Sequence, residues 1–394
     1  MLALEGLVVL DLARRYPGAY SAMFFADFGA EVIKVDPPVG CLPIQPENVS
    51  EEKFAAYYAS DRNKKSIILN LKSDEGREAF HRLVKKADVL IEGFSPGVMK
   101  RLKTDYDTLK TINPRLIYCS LTGYGHDGPY AHMPGHDMNY SAIGGALSLV
   151  GERGGRPYLV SNLLADMAGA GLHSVIGILI ALMARERTGR GQFVDISYVD
   201  GVISLLAMDA SFYLATGKVP RRGETFTTGG VPWGNIYRCK DGEYITLGCA
   251  EPHFWVNLCR ALGREDLIPY HNPPEEKRDE VISALAEIFL TRTRKEWCEF
   301  FKDKDTCFGP VYYLNETFSD PQVLHRQMVV ELEHPNVGKV KQIGIPIKLS
   351  ETPGQIRSLG VPTGTHTGEI LTSLGYTKEE IQNCARQKLL ADKI

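Results

Sequence analysis

The sequence predicts an α/β protein: a doubly wound, Rossmann-like parallel sheet with a smaller α+β domain. Three observations carry that expectation. Short β-branched apolar runs alternate with amphipathic stretches throughout residues 5–125, the pattern of consecutive βαβ units. A Gly-, Pro- and Thr-rich tract, TGKVPRRGETFTTGGVPW, interrupts the chain at 216–233, as a domain boundary does. Beyond it, Asp241-Gly242 stands between two apolar runs, a strong hairpin signal.

Each element has its local reason. LEGLVVLDLA reads as a strand, YPGAYSAMFFADFG as a helix with Pro17 in its first turn and Gly29 just past its end, and AEVIKVD as a second strand. This βαβ unit lacks the G-x-G-x-x-G fingerprint, which weakens a nicotinamide or flavin reading. Open parallel sheets nonetheless bind ligands at the carboxyl ends of their strands. SIILNL is the next strand, SDEGREAFHRLVKKA an amphipathic helix, and DVLIEGF and PRLIYCSLTGYG two further strands. A long helix is expected from about Asn162 to Arg187, then a strand in GQFVDISYV and a helix to about Thr216. In the second part, NIYRCKDGEYITLGCA is the hairpin, followed by helices at about 252–262, 278–290 and 294–303. The tail from Thr363 is again helical in pattern.

Composition excludes several classes. The 394 residues are 44% hydrophobic and 24% charged with a net charge of -3, so nothing points to bulk electrostatic binding of nucleic acid or an anionic membrane. The eight cysteines, Cys41, Cys119, Cys239, Cys249, Cys259, Cys298, Cys307 and Cys384, are scattered without C-x-x-C spacing. Free thiols in a reducing cytoplasm fit better than disulfides or a zinc module. MLALEGLVVL has no basic n-region, so no signal peptide is read. The most apolar run, Ser174 to Met183, is about half a bilayer span and reads as a buried helix.

Four stretches carry candidate chemistry. Gly135-His136-Asp137 places an imidazole beside a carboxylate, but a metal there would need partners at H-x-H or H-E-x-x-H spacing, and none exists. G-x-S-x-G and the P-loop pattern are also missing. In DRNKKSIILNLK, Arg62, Lys64, Lys65 and Lys72 fall within twelve residues, with Arg101 following in PGVMKRL. These cations suit either a solvated face or a phosphorylated cofactor at the ligand end of the sheet. SNLLADMAGAG puts Asp166 near a helix start followed by small residues, consistent with a dipole-stabilising carboxylate or with a reactive one. GCAEPHFW puts Glu251 at a helix N-cap, where capping is the default.

In this order the motifs ADFGAEVIKVD, DRNKKSIILNLKS, DVLIEGFSPGVMKRL, NPRLIYCSLTGYGHDGPY, GHDMNY, NLLADMAG, ERTGRGQFVDIS and CAEPHFW resemble the class III CoA-transferase (CaiB/BaiF) family, and within it the branch typified by α-methylacyl-CoA racemase. The resemblance implies catalytic roles for His136, Asp166 and Glu251, whereas many transferases of the family carry an aromatic residue at the position of His136. It implies CoA contacts from Arg62, Lys65, Leu69, Lys72 and Arg101, and no cofactor or metal beyond the CoA of the substrate. Pro37 stands where some racemases have an arginine, and TTGGVPWG replaces an aspartate-led DGG; both are departures from the branch. The expected partners are an acyl-CoA substrate and a second copy of the chain in an interlocked homodimer, or a paralogous subunit in a heteromer. The implied domains are 1–215, the 216–233 linker, a small domain over 234–328 and a return segment, 329–394, completing the large domain. The expected reaction inverts the α-carbon of a 2-methylacyl-CoA by two-base proton transfer, with backbone N–H groups near the Asp166 helix start stabilising the enolate. The alternative is CoA transfer between acids through an aspartyl thioester at Asp166.

Overall fold

A computed structural model describes residues 1–13, 16–38, 59–161, 163–334 and 338–386. Cys41 and Asn162, and the side chain of Cys384, lie outside the described residues; the other six cysteines are free thiols.

The chain folds into two compact units, one of residues 1–144, 161–205 and 321–394, the other of 145–160 and 206–320. Residues 145–160 and the tract at 216–233 thus group with the second unit, where the sequence boundaries separate them from it. The first unit is built on a six-stranded sheet of β1 (Val8–Asp11), β2 (Glu31–Asp36), β3 (Lys64–Ile68), β4 (Val89–Glu92), β5 (Ile117–Thr122) and β6 (Phe193–Ser197). All pairs are parallel, and the order is β3-β2-β1-β4-β5-β6. The order reverses beside β1, creating the switch point at which doubly wound sheets take ligands. Strands covered on both faces read as near-continuous apolar runs, and every residue of β4 and β5 is buried.

Helices cover both faces. On one, α1 (Tyr16–Asp27) and the long helix after Asp166 close over Val9, Val32, Val89, Ile91, Ile117 and Cys119. On the other, α2 (Asp74–Lys86), α3 (Val98–Arg101) and α4 (Tyr106–Ile112) cover Leu10, Ile33, Ile67, Leu90 and Tyr118. The α2 helix begins on Ser73, whose hydroxyl accepts from the Gly76 N–H at 3.0 Å, and ends with Lys85 and Lys86 in its last turn, both favourable to the helix dipole.

β3 starts two residues earlier than the apolar run SIILNL implies. Lys64 pairs with Val32 in the ladder and is buried because its ammonium reaches Asp11 at 2.8 Å and Asp61 at 3.3 Å. A lysine neutralised in this way is compatible with a core strand, a circumstance invisible in a hydropathy pattern.

The second unit carries a three-stranded antiparallel sheet of β7 (Gly234–Arg238), β8 (Tyr244–Gly248) and β9 (Phe308–Pro310). Gly242, at φ 87°, supplies the left-handed residue that the β7–β8 turn requires. Trp255, Leu258, Leu285, Phe289 and Trp297 from three helices fill the core beneath it.

Candidate active site

The segment carrying His136 is clamped before it reaches the imidazole. Tyr140 donates its hydroxyl to the Gly135 carbonyl at 2.5 Å, and its ring packs edge-on against Tyr124 and Tyr198. A Cβ on Gly135 would lie 2.7 Å from that ring, and one on Gly123 would lie 2.4 Å away. The glycine before His136 is therefore required by close approach. Burial, reinforced by the charges of Tyr124 and Asp166, pushes the Tyr140 hydroxyl up to about 12, so it stays a donor. His136 is exposed at the N-cap of α5 (Asp137–Ile143), where its backbone N–H donates to Asn139 Oδ1 at 3.0 Å.

Asp166 lies at the start of a helix that begins as a π-helix, Leu163–Leu172, and continues as α6 (His173–Thr188). Such widened turns recur at functional sites. The small residues that follow Asp166 admit protein backbone, not a ligand: a Cβ on Gly201 of α7 (Tyr198–Leu205) would fall 2.0 Å from the Gly169 carbonyl, and one on Gly171 would lie 3.3 Å from that of Pro17. Its stretch from Leu164 to Thr188 is longer than the apolar run Ser174–Met183, and by length and composition is long enough to cross a membrane. Ser174, Ile178, Ala181 and Arg185 are its buried residues in α6.

The two segments are joined by a residue whose role the sequence does not reveal. Asp137 Oδ2 accepts the backbone N–H groups of Ala165 at 3.1 Å and of Asp166 at 2.9 Å. His136 and Asp166, 30 positions apart, are thereby held in one small region of the first unit. The same contact narrows an expectation. Of the N–H groups near the Asp166 helix start, those of Ala165 and Asp166 are bonded to Asp137 and are not free to receive an enolate oxygen.

Glu251 belongs to the second unit. It occupies the N-cap of the helix Pro252–Ala261, but its side chain makes no capping hydrogen bond and is exposed. The default capping role is therefore not what its carboxylate performs.

The five residues associated with CoA separate into two groups. Arg62 is 2% exposed; it donates through Nε to Asp27 at 3.0 Å, through Nη2 to Asp27 at 2.6 Å and through Nη1 to the Ile343 carbonyl at 2.5 Å. Lys65 pairs with Glu31 at 2.9 Å and Glu369 at 2.8 Å, bonds that raise its ammonium above the usual lysine range. Both precede or open β3, away from its carboxyl end. Leu69 and Lys72 follow that end, and Arg101 closes α3 after β4. Leu69 is buried with its N–H on the Asp36 carbonyl, whereas Lys72 and Arg101 are exposed and form no ion pair among the described residues.

A buried polar chain also escapes the sequence. Glu92, the last residue of β4, accepts the Ser120 hydroxyl and the Phe94 N–H at 2.7 Å, and Ser120 Oγ is 2.6 Å from His126 Nε2. Burial first, with a smaller push from Asp195, raises the Glu92 carboxyl to about 7.

The model of CoA-transferase family III matches residues 4–367. The chain belongs to CoA-transferase family III. It is 34% identical to human α-methylacyl-CoA racemase over 99% of this chain and 98% of that protein. It is 32% identical to the succinyl-CoA–L-malate CoA-transferase alpha subunit of Chloroflexus aurantiacus over 99% of this chain and 93% of that one. A crystal structure of a CaiB/BaiF family protein from Brucella suis superposes with a TM-score of 0.80 at 32% identity, covering 95% of this chain and 99% of that one. The family III chain is thus an enzyme with the α/β fold of CaiB/BaiF proteins, and its similarity extends to racemases and transferases alike.

Proposed function

We propose that the protein is a racemase or epimerase that inverts the α-carbon of a 2-methylacyl-CoA or related 2-substituted thioester. The observation that carries this reading is the bond from Asp137, the neighbour of His136, to the backbone of Asp166, which places a histidine and an aspartate in one region. A thioester weakens its α-C–H bond because the electron pair left behind delocalises into the carbonyl oxygen. Neutral His136 takes the proton from one face, and protonated Asp166 delivers a proton to the other; for the opposite enantiomer the roles reverse. The C–H bond broken on one face is replaced by one on the other, with no oxidant and no second substrate. Glu251 from a second protomer orients the imidazole, as carboxylate partners do elsewhere, and its uncapped, exposed carboxylate is consistent with this.

Lys72 and Arg101 bind the CoA phosphates, supported by their place after the carboxyl ends of β3 and β4 and by their lack of ion-pair partners among the described residues. Leu69 contributes backbone and packing there. Arg62 and Lys65 hold β3 in place instead. A second copy of the chain covers the apolar face of α6, where Ile176, Ile180 and Met183 are exposed; the alpha-subunit name of the Chloroflexus relative keeps a paralogous partner in view. The six free thiols among the described residues fit a cytoplasmic enzyme.

The second reading, CoA transfer through an aspartyl thioester at Asp166, is favoured by the 32% identity to a named transferase. The two separate on one pair of variants. In a racemase, His136→Ala and Asp166→Ala each abolish inversion of a single-enantiomer thioester. Retained CoA transfer to an added carboxylic acid in His136→Ala, with no inversion by the unmodified enzyme, identifies a transferase.

A further inference from the structure

We propose that Asp137 is a positioning residue that sets the spacing between the two proton carriers; this rests on the racemase reading above. The path from His136 to Asp166 runs through one covalent neighbour and one hydrogen bond, because Asp137 Oδ2 takes the N–H of Asp166 itself at 2.9 Å and that of Ala165 at 3.1 Å. First-turn N–H groups of a helix lack intrahelical partners and are ordinarily capped by the residue just before the helix. Here the cap comes from 28 and 29 residues away, so it closes a tertiary link as well as satisfying two donors.

Both ends of the link are rigid. On the histidine side, Gly135 is gripped by Tyr140 and the His136 N–H by Asn139. On the aspartate side, Gly169 and Gly201 bring two helix backbones into contact that any added Cβ would disrupt. Two-face proton transfer needs both carriers within hydrogen-bond reach of one carbon, and misplacement by about 1 Å costs up to about a hundredfold in rate. A cap that served only stability would lower the melting point without altering how abstracted protons are returned. A positioning residue alters that partition: with Asp166 displaced, His136 still removes the α-proton from its own face and returns a solvent deuteron to the same face.

The test uses Asp137→Ala, Asp137→Asn and Asp137→Glu in the full-length enzyme, with one enantiomer of a 2-methylacyl-CoA in heavy water. Asp137→Ala is expected to lower kcat for inversion by about 10–100-fold with KM within about threefold, and to raise the ratio of exchange-with-retention to inversion. Asp137→Asn keeps an acceptor oxygen and stays within about fivefold of the unmodified enzyme. Asp137→Glu, which keeps the charge but moves it by a methylene, shows the altered ratio even if the alanine variant fails to fold. Amide hydrogen exchange over residues 163–172 reports the link without any substrate: it accelerates in Asp137→Ala and stays near the original rate in Asp137→Asn. Inversion at the original rate in Asp137→Ala overturns the proposal, as does a proportional loss of exchange and inversion with unchanged amide protection. Absence of any α-exchange in the unmodified enzyme removes the racemase reading itself and with it the two-carrier role, an outcome distinct from loss of the link, which the amides report separately.

Discussion

Replacing Glu92 by glutamine should make the protein more stable at pH 8 while changing little at pH 5. Glu92 is 1% exposed, and burial raises its carboxyl from an ordinary 4.5 to about 7. The folded state therefore keeps a proton that the unfolded chain releases, so the stabilisation is fully present below the unfolded value and is lost as pH rises through the folded one. The gap between the two values corresponds to about 3 kcal/mol, of which about 2.5 kcal/mol falls between pH 5 and pH 8. Glutamine is neutral at both, and its amide oxygen can still accept from Ser120 Oγ and the Phe94 N–H. Asp27 and Asp36, also raised by burial, and Asp61, lowered by Lys64 and Lys34 despite burial, titrate in variant and parent alike, so the difference between the two isolates Glu92. Urea unfolding at pH 5 and pH 8 should show Glu92→Gln gaining on the parent by about 2–3 kcal/mol across that interval. An equal difference at both pH values would refute the protonated, buried carboxyl.

Arg62→Met should cost about 3–5 kcal/mol, because it leaves Asp27 buried without its partner, whereas Arg101→Met should change stability by less than about 0.5 kcal/mol and weaken CoA binding by about 10–100-fold; thermal melts and calorimetric titration of both variants distinguish a structural from a ligand-binding arginine. Gly201→Ala should destabilise by about 1–3 kcal/mol through overpacking against the Gly169 carbonyl, read as a lower urea midpoint; an unchanged midpoint would show that the two helices can part freely. Co-expressing inactive Glu251→Gln and His136→Ala chains should restore partial racemase activity in purified heterodimers, and none would place both residues within one chain's site.

The sheet was legible because apolar β-branched runs bounded by turn residues have one reading when they alternate with amphipathic helices. The exception, the start of β3, was hidden by the buried pairing of Lys64 with Asp11 and Asp61. Spacing alone treated Arg62, Lys65, Lys72 and Arg101 as equivalent cations; only the positions of Asp27, Glu31 and Glu369 divide them into anchors and exposed charges. The long helix was expected, but nothing local in the sequence signalled that it opens as a π-helix, with Gly169 of that stretch lying against Gly201 of α7. Asp137 was visible only as a neighbour of His136. Its hydrogen bonds to Ala165 and Asp166 join segments far apart in sequence, and no periodicity encodes such a contact.

The central claim, proton transfer at the α-carbon by His136 and Asp166, is tested most directly by incubating a single-enantiomer 2-methylacyl-CoA with the enzyme in heavy water and no acceptor acid. The account predicts deuterium at the α-carbon together with inversion, both abolished by Asp166→Ala and by His136→Ala. Movement of CoA to an added carboxylate that survives loss of His136, with no deuterium incorporated by the unmodified enzyme across a panel of thioesters, would contradict it.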